Sequence, residues 1–375
     1  MKRLLFFIAF MSAAALSYAA DTVSYRLSNI ENWAFYGTRS PEVGIVAVNG
    51  RGVSMPMDVK CSIWNYDGVP MYELNQKSVL QQHDSLAFSF AFKTIAPGFY
   101  NAVLSDGGRV VKSVNIAYEP EKILSSEHFN DDAPVSDRNF TRLLKSVKEE
   151  LPGVRRQFSI VKNKKLSGKE KNVYDFKMNS RDDKVIKGYL AFPRGKKGLE
   201  AMITFLPVEG RSENPLADFT AKQQMVELVI YVGDRGDGEM YFRNILTDAA
   251  ICMEYIMNRP EIDPAKVYTQ GEGDAAALSC VASAIDGRVR CSFVASPDFS
   301  RFLECFTAES VAEGISAPVL FGMGLQDKAV RLQEDFAVYN NIKGIKEYFI
   351  FPAGNAVERN KWKYIRDTFI LRSGE

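Results

Sequence analysis

A chain of 375 residues with 46% hydrophobic residues has material for more than one buried core, and usual domain lengths make two domains the expectation. A formal charge of +1, from 47 basic and 46 acidic residues, argues against a dedicated nucleic-acid binder, which needs clustered cations. The five cysteines form no C-x-x-C pair, which points away from a zinc knuckle or a thioredoxin-like centre.

The chain opens on "MKRLLFFIAFMSAAALSYAA", where Lys2 and Arg3 precede an apolar run and small residues surround Ser17-Tyr18-Ala19. This is the layout of a secretory signal peptide over residues 1–20, cut after Ala19 or Ala20. The run is short for a membrane span, which disfavours an uncleaved anchor, and no later segment is long enough to cross a bilayer. An exported protein, periplasmic or extracellular, is expected.

Residues 21–118 read as an all-β region. "VGIVAV", "MDVKCSIWNY", "SLAFSFAF", "GFYNAVLS" and "VVKSVNIAY" are short β-branched or aromatic runs, separated by turn signals such as Asn49-Gly50, Asp67-Gly68 and Gly107-Gly108. Their spacing predicts a small sandwich, and "PGFYNAVLSDGG" resembles the late strands of immunoglobulin-like modules. Residues 119–137, rich in Pro, Ser and acidic residues, predict a linker. Asp137 is then placed to cap a helix through "RNFTRLLKSVKEEL", with Phe140, Leu143, Leu144, Val147 and Leu151 on one face.

From residue 138 to 375 strands alternate with helices, which predicts a mostly parallel, doubly wound α/β sheet. Lys162, Lys164, Lys165, Lys169 and Lys171 surround Ser167-Gly168; a solvated hairpin tip is favoured there over an anion site. Cys252 and Cys280 fall among apolar helix positions and read as buried small hydrophobes.

The stretch "VYTQGEGDAAALSC", Val267 to Cys280, predicts a strand, a glycine-rich turn and a helix of small residues. That is the layout of a nucleophile elbow, whose sharp turn needs small residues two places either side of its apex. Gly271 and Ala275 satisfy this for an apex at Gly273, but neither Glu272 nor Asp274 is so flanked. The chain has two histidines, His83 and His128, and both precede the elbow, whereas a Ser-acid-His enzyme of this layout carries its histidine last.

Two longer phrases, "YFRNILTDAAICMEYIMNRPEIDPAKVYTQGEG" and "SAPVLFGMGLQDKAVRLQEDFAVYNNIKGIKEYFIFPAGN", follow in an order that resembles the acetyl xylan esterase / cephalosporin-C deacetylase group of α/β-hydrolases. The resemblance starts at about Asn139 and runs to the C-terminus. It implies an α/β-hydrolase fold and places the family's nucleophile at Gly273, its acid at Asp327 in "GLQD" and its base at Ala356 in "FPAGNAV". Only the acid keeps its chemistry. Where the family has an oxyanion loop this chain has "LPVEGRSENP", so Glu209, Gly210, Glu272 and Asp274 are the candidate residues of a remnant pocket, with side chains turned to solvent as the alternative. No cofactor is expected. The resemblance with these departures implies a non-catalytic relative that binds carbohydrate or a protein partner. Two alternatives stay open: an active carbohydrate or small-ester deacetylase with another mechanism, and an adhesive protein whose β region binds through Trp33, Phe35, Tyr36 or Trp64.

Overall fold

The computed structural model describes residues 22–28, 34–37, 40–93, 95–123, 139–181, 184–194, 198–207, 225–233, 238–327, 332–354 and 357–373. The expected signal peptide, most of the expected linker, Trp33, His128, Glu209, Gly210 and Ala356 lie outside them. Packing divides the chain into two compact units, residues 1–122 and 123–375.

The first unit is all β among its described residues. Strands β1 (Val23–Ser28), β3 (Glu42–Asn49) and β6 (Ser85–Ala91) form one sheet. A second has the order β2–β8–β7–β4–β5, from β2 (Ala34–Phe35), β4 (Met55–Asn65), β5 (Pro70–Leu80), β7 (Gly98–Asp106) and β8 (Arg109–Tyr118). Alternation buries Val43, Ile45 and Ala47 on β3, and Val59, Cys61 and Ile63 on β4. Gly107 and Gly108 both have positive φ, 54° and 84°, between the paired Asp106 and Arg109. This is the two-residue turn whose twist suits a hairpin, and two glycines take it without a Cβ clash.

The second unit opens on α1 (Phe140–Glu150). Its cap is Asn139, whose side chain accepts from the Arg142 N–H at 3.1 Å, and not the expected Asp137, which is outside the described residues. Asn139 has extended backbone, the conformation a capping side chain needs to reach back. The sheet that follows has the order β17–β16–β15–β14–β12–β13–β11–β10–β9. Its strands are β9 (Phe158–Lys162), β10 (Lys171–Asn179), β11 (Val185–Pro193), β12 (Leu199–Pro207), β13 (Val226–Val232), β14 (Ile262–Gly273), β15 (Val289–Pro297), β16 (Val319–Gly324) and β17 (Lys346–Phe351). From β13 to β17 neighbours pair in parallel, while β9, β10 and β11 add antiparallel strands at one edge. The parallel strands are buried along nearly their whole length, as expected of a sheet covered on both faces.

The helices are α2 (Gly238–Met257), α3 (Asp274–Ile285), α4 (Ser300–Cys305), α5 (Ala308–Glu313), α6 (Leu332–Asn341) and α7 (Arg359–Ser373). Helix α7 covers the face that carries Tyr268, Cys291, Phe293 and Leu320, where Trp362 and Phe369 join the core. The ring of Trp362 lies where a Cβ on Gly322 would be, 2.5 Å away, so β16 accepts the helix only because it has glycine there. On the other face α6 packs Phe336 and Tyr339 against Phe321 and Tyr348. The lysine-rich segment joins β9 to β10 as an exposed hairpin tip, with the Ser167 hydroxyl accepting from the Val173 N–H at 2.9 Å. Strand β9 is an edge strand exposed at every position, and flanking lysines discourage pairing with other chains.

All five cysteines are free. Burial pushes the Cys61 thiol to about 12 and the Cys280 thiol further up, so both behave as neutral, apolar filling.

Candidate functional site

The parallel strands end together at one edge of the sheet, and the candidate residues gather there. β14 runs straight into α3 through Gly273, whose backbone is at φ 61° and ψ −137°. That region is nearly closed to residues with a Cβ, and a glycine takes it without strain. A Cβ added at Gly273 would meet nothing within 4 Å among the described residues. Two residues earlier the reverse holds. A Cβ on Gly271 would sit 2.4 Å from the Ala275 carbonyl oxygen and 2.7 Å from the Ala276 Cα. The helix therefore approaches the strand closely enough to demand glycine at 271 and small residues at 275 and 276.

Glu272 is half-buried and Asp274 is exposed. Asp274 lies in the first turn of α3, where a negative charge is favoured by the helix dipole. Asp327 follows β16 in a tight turn, its N–H donating to the Gly324 carbonyl at 3.1 Å. The neighbouring Gln326 N–H donates to Gly354 O at 3.0 Å, and its side chain donates to Pro352 O at 2.9 Å. These bonds tie the Asp327 turn to the turn after β17. Glu209, Gly210 and Ala356 are not among the described residues, so no geometry places them. Of the candidates, Glu272, Gly273, Asp274 and Asp327 all sit at the carboxyl end of the sheet.

Two networks brace the elbow from below. Thr269 faces α3: its hydroxyl donates to Ser279 O at 2.8 Å and lies 2.8 Å from the Ser292 hydroxyl. Gln270 faces α7: its amide donates to Thr204 Oγ1 at 2.8 Å, and its carbonyl accepts from the buried Arg366 at 2.9 Å. Composition alone does not reveal either network, because each needs two or three elements already packed.

Two further residues at this edge escaped sequence reasoning. Ser296 is the extra residue of a bulge, since Glu272 pairs with Ala295 and Gly273 with Pro297. It has φ 43°, is buried, and its hydroxyl has no hydrogen-bond partner among the described residues. Asp335 on α6 is fully buried, with one oxygen accepting from the Phe299 N–H at 3.0 Å. Burial drives its carboxyl well above the usual range, against the Phe299 bond, and the nearby Asp298, Glu334 and Asp327 push it the same way.

A raised native value means that the folded chain keeps a proton which the unfolded chain releases. Asp335 therefore leaves stability intact at acid pH and subtracts from it as pH rises from the unfolded carboxylate range towards the folded value. Asp335→Asn, which cannot ionise, is expected to flatten this slope. Urea unfolding of both proteins across the acid-to-neutral range checks it; equal slopes would count against a buried, protonated Asp335.

Comparison with known proteins agrees with this architecture. Residues 220–310 match the family described as Acetyl xylan esterase (AXE1). Acetyl xylan esterase 1 from Thermoanaerobacterium sp. JW/SL YS485 superposes with a TM-score of 0.57 at 17% identity, covering 68% of this chain and 98% of its own. An acetyl xylan esterase from Paenibacillus sp. R4 gives the same values. No curated protein matches the chain by sequence. The second unit has the α/β-hydrolase fold, a mostly parallel sheet, and an all-β region precedes it. Within that fold class, the chain resembles the acetyl xylan esterases. Among the described residues no helix is long and apolar enough to cross a membrane.

Proposed function

We propose that this is an exported acetyl xylan esterase-like protein that has lost the nucleophile and base positions and works by binding, to carbohydrate or to a protein partner, instead of by ester hydrolysis. In this reading residues 1–20 are a cleaved signal, residues 21–118 an immunoglobulin-like sandwich, 119–137 a linker and 138–375 the hydrolase-like domain. The observation that carries it is Gly273. The strand-to-helix turn has a nucleophile elbow's shape, with the close approach at Gly271, yet its apex bears no side chain. The chain also has no histidine after His128, so neither Asp327 nor any elbow group has an imidazole from this domain's later segments to work with. Loss of either a triad serine or histidine removes about 10⁶ in kcat in a well-studied protease, leaving about 10³ over water.

A second reading, an active deacetylase with another mechanism, draws on Asp327 and on the Ser296 hydroxyl, which has no partner among the described residues and lies one residue from the partner of Gly273. Acetate release from p-nitrophenyl acetate and acetylated xylo-oligosaccharides separates the two. The expected rate is that of the buffer blank for the wild type and for Asp327→Ala alike. Saturable turnover that Asp327→Ala or Ser296→Ala abolishes establishes the second reading.

A further inference from the structure

Beside the antiparallel edge strands β9 and β10, near the start of β14, lies a cleft of about 410 Å³ whose residues the elbow does not use. Its wall is built by Arg156 and Phe158 at the start of β9, Met178 on β10, Tyr255 near the end of α2, and Arg259 and Glu261 just before β14. Ile262 pairs with Leu199 and Gly271 with Phe205, so at about 3.3 Å per residue of β12 the cleft is on the order of 25 Å from Gly273.

The cleft combines one exposed ring with a balanced set of charges. Phe158 is 58% exposed, yet its position is fixed by edge-on contact with Tyr255 at 4.9 Å, and Tyr255 is held in turn by Phe176 at 5.2 Å. Its ring thus offers a flat apolar surface already immobilised. Two guanidinium–carboxylate pairs stand beside it: Arg156 with Glu254, and Arg259 with Glu261 at 3.1 Å. All four side chains remain 21% to 37% exposed, so they still present polar atoms outward. Arg259 is further fixed by donating to the Tyr255 hydroxyl at 2.8 Å and by lying over the Phe192 ring at 4.6 Å.

This pairing selects against charge. An anion drawn to either arginine meets a carboxylate beside it, and a cation drawn to either glutamate meets a guanidinium. A hydroxyl group both donates and accepts, so neighbouring hydroxyls can bridge a guanidinium donor and the adjacent carboxylate. A ring that carries such hydroxyls on its edge and an apolar face beneath also matches Phe158. The volume is within the range of small-ligand sites. We propose that this cleft binds the ring of a neutral sugar, stacked on Phe158 and hydrogen-bonded by the Arg156–Glu254 and Arg259–Glu261 pairs. The proposal stands whether or not the elbow hydrolyses esters, since no residue is shared between the two places.

Saturation-transfer NMR on the full chain tests it, with xylobiose, cellobiose and N,N′-diacetylchitobiose as neutral probes and cinnamate and benzamidine as charged aromatic ones. At least one disaccharide should bind, and Phe158→Ala should weaken it about tenfold. Phe158 is exposed, so that variant is expected to fold. Ile160→Ala, on the same strand but outside the cleft, should bind as the wild type does. Three outcomes overturn the proposal: no saturation by any disaccharide, binding indifferent to Phe158→Ala, or tighter binding of a charged aromatic. Disaccharide binding indifferent to Phe158→Ala would still be compatible with carbohydrate recognition elsewhere, so failure here does not decide the reading of the elbow.

Discussion

Gly271→Ala is expected to cost at least about 3 kcal/mol, while Gly273→Ser two residues on costs about 1–3 kcal/mol. The contrast follows from what each new Cβ meets. At Gly271 it runs into backbone, 2.4 Å from Ala275 O, and backbone of a buried helix start cannot swing aside as a side-chain tip can. Relief requires α3 to lift off β14, which opens the Thr269–Ser279 bond and unpacks the small-residue face behind it. At Gly273 no described residue is within 4 Å of the new Cβ, and the penalty comes from the backbone at φ 61° and ψ −137°. Urea unfolding of the two variants in parallel measures the difference. Equal losses would mean that the strand–helix approach is looser than described, and the elbow assignment would lose its geometric support.

The second large effect is expected at Arg366. This side chain is 2% exposed; it donates to Gln270 Oε1 at 2.9 Å and to Asp367 Oδ1 at 2.9 and 3.1 Å. Arg366→Ala leaves the Gln270 carbonyl buried without that donor, opens a void beneath α7, and loosens the Gln270–Thr204 bond that joins β14 to β12. A loss of about 3–5 kcal/mol is expected. Arg366→Met keeps most of the volume, so it isolates the hydrogen bond. Adding Gln270→Leu and Thr204→Val to it should recover part of the loss, because all three linked partners are then apolar. If the triple variant is no more stable than Arg366→Met, the bond to Gln270 is not what holds the arginine there.

Legibility in the sequence followed the range of the interactions. Parallel strands such as "MVELVIYVG" and "PVLFGMG" are apolar at nearly every position, Glu227 aside, because both faces are covered, and they stand out without help. The elbow was readable too, since its demands for Gly271 and Ala275 are local. Strand β5, "PMYELNQKSVL", gave no apolar alternation because it is an exposed edge strand. The capping residue of α1 was placed two positions early, as both Asp137 and Asn139 have the right chemistry and only the backbone decides. Arg366 reads as a surface residue in "KWKYIRDTFIL"; its burial exists only once α7 lies over β14. Ser296 owes its positive φ to a bulge between two strands, which no single segment encodes. The cleft beside Phe158 joins residues from three places in the chain and has no local signature.

The proposed binding role requires an elbow without a nucleophile. The most direct measurement is the intact mass of the protein after incubation with a fluorophosphonate, which bonds covalently to an activated serine oxygen with loss of fluoride. The unmodified mass is the predicted result, for the wild type and for Ser296→Ala alike. A stoichiometric adduct on the wild type, mapped to any serine of the hydrolase-like unit, would contradict the account and identify the residue that does the chemistry.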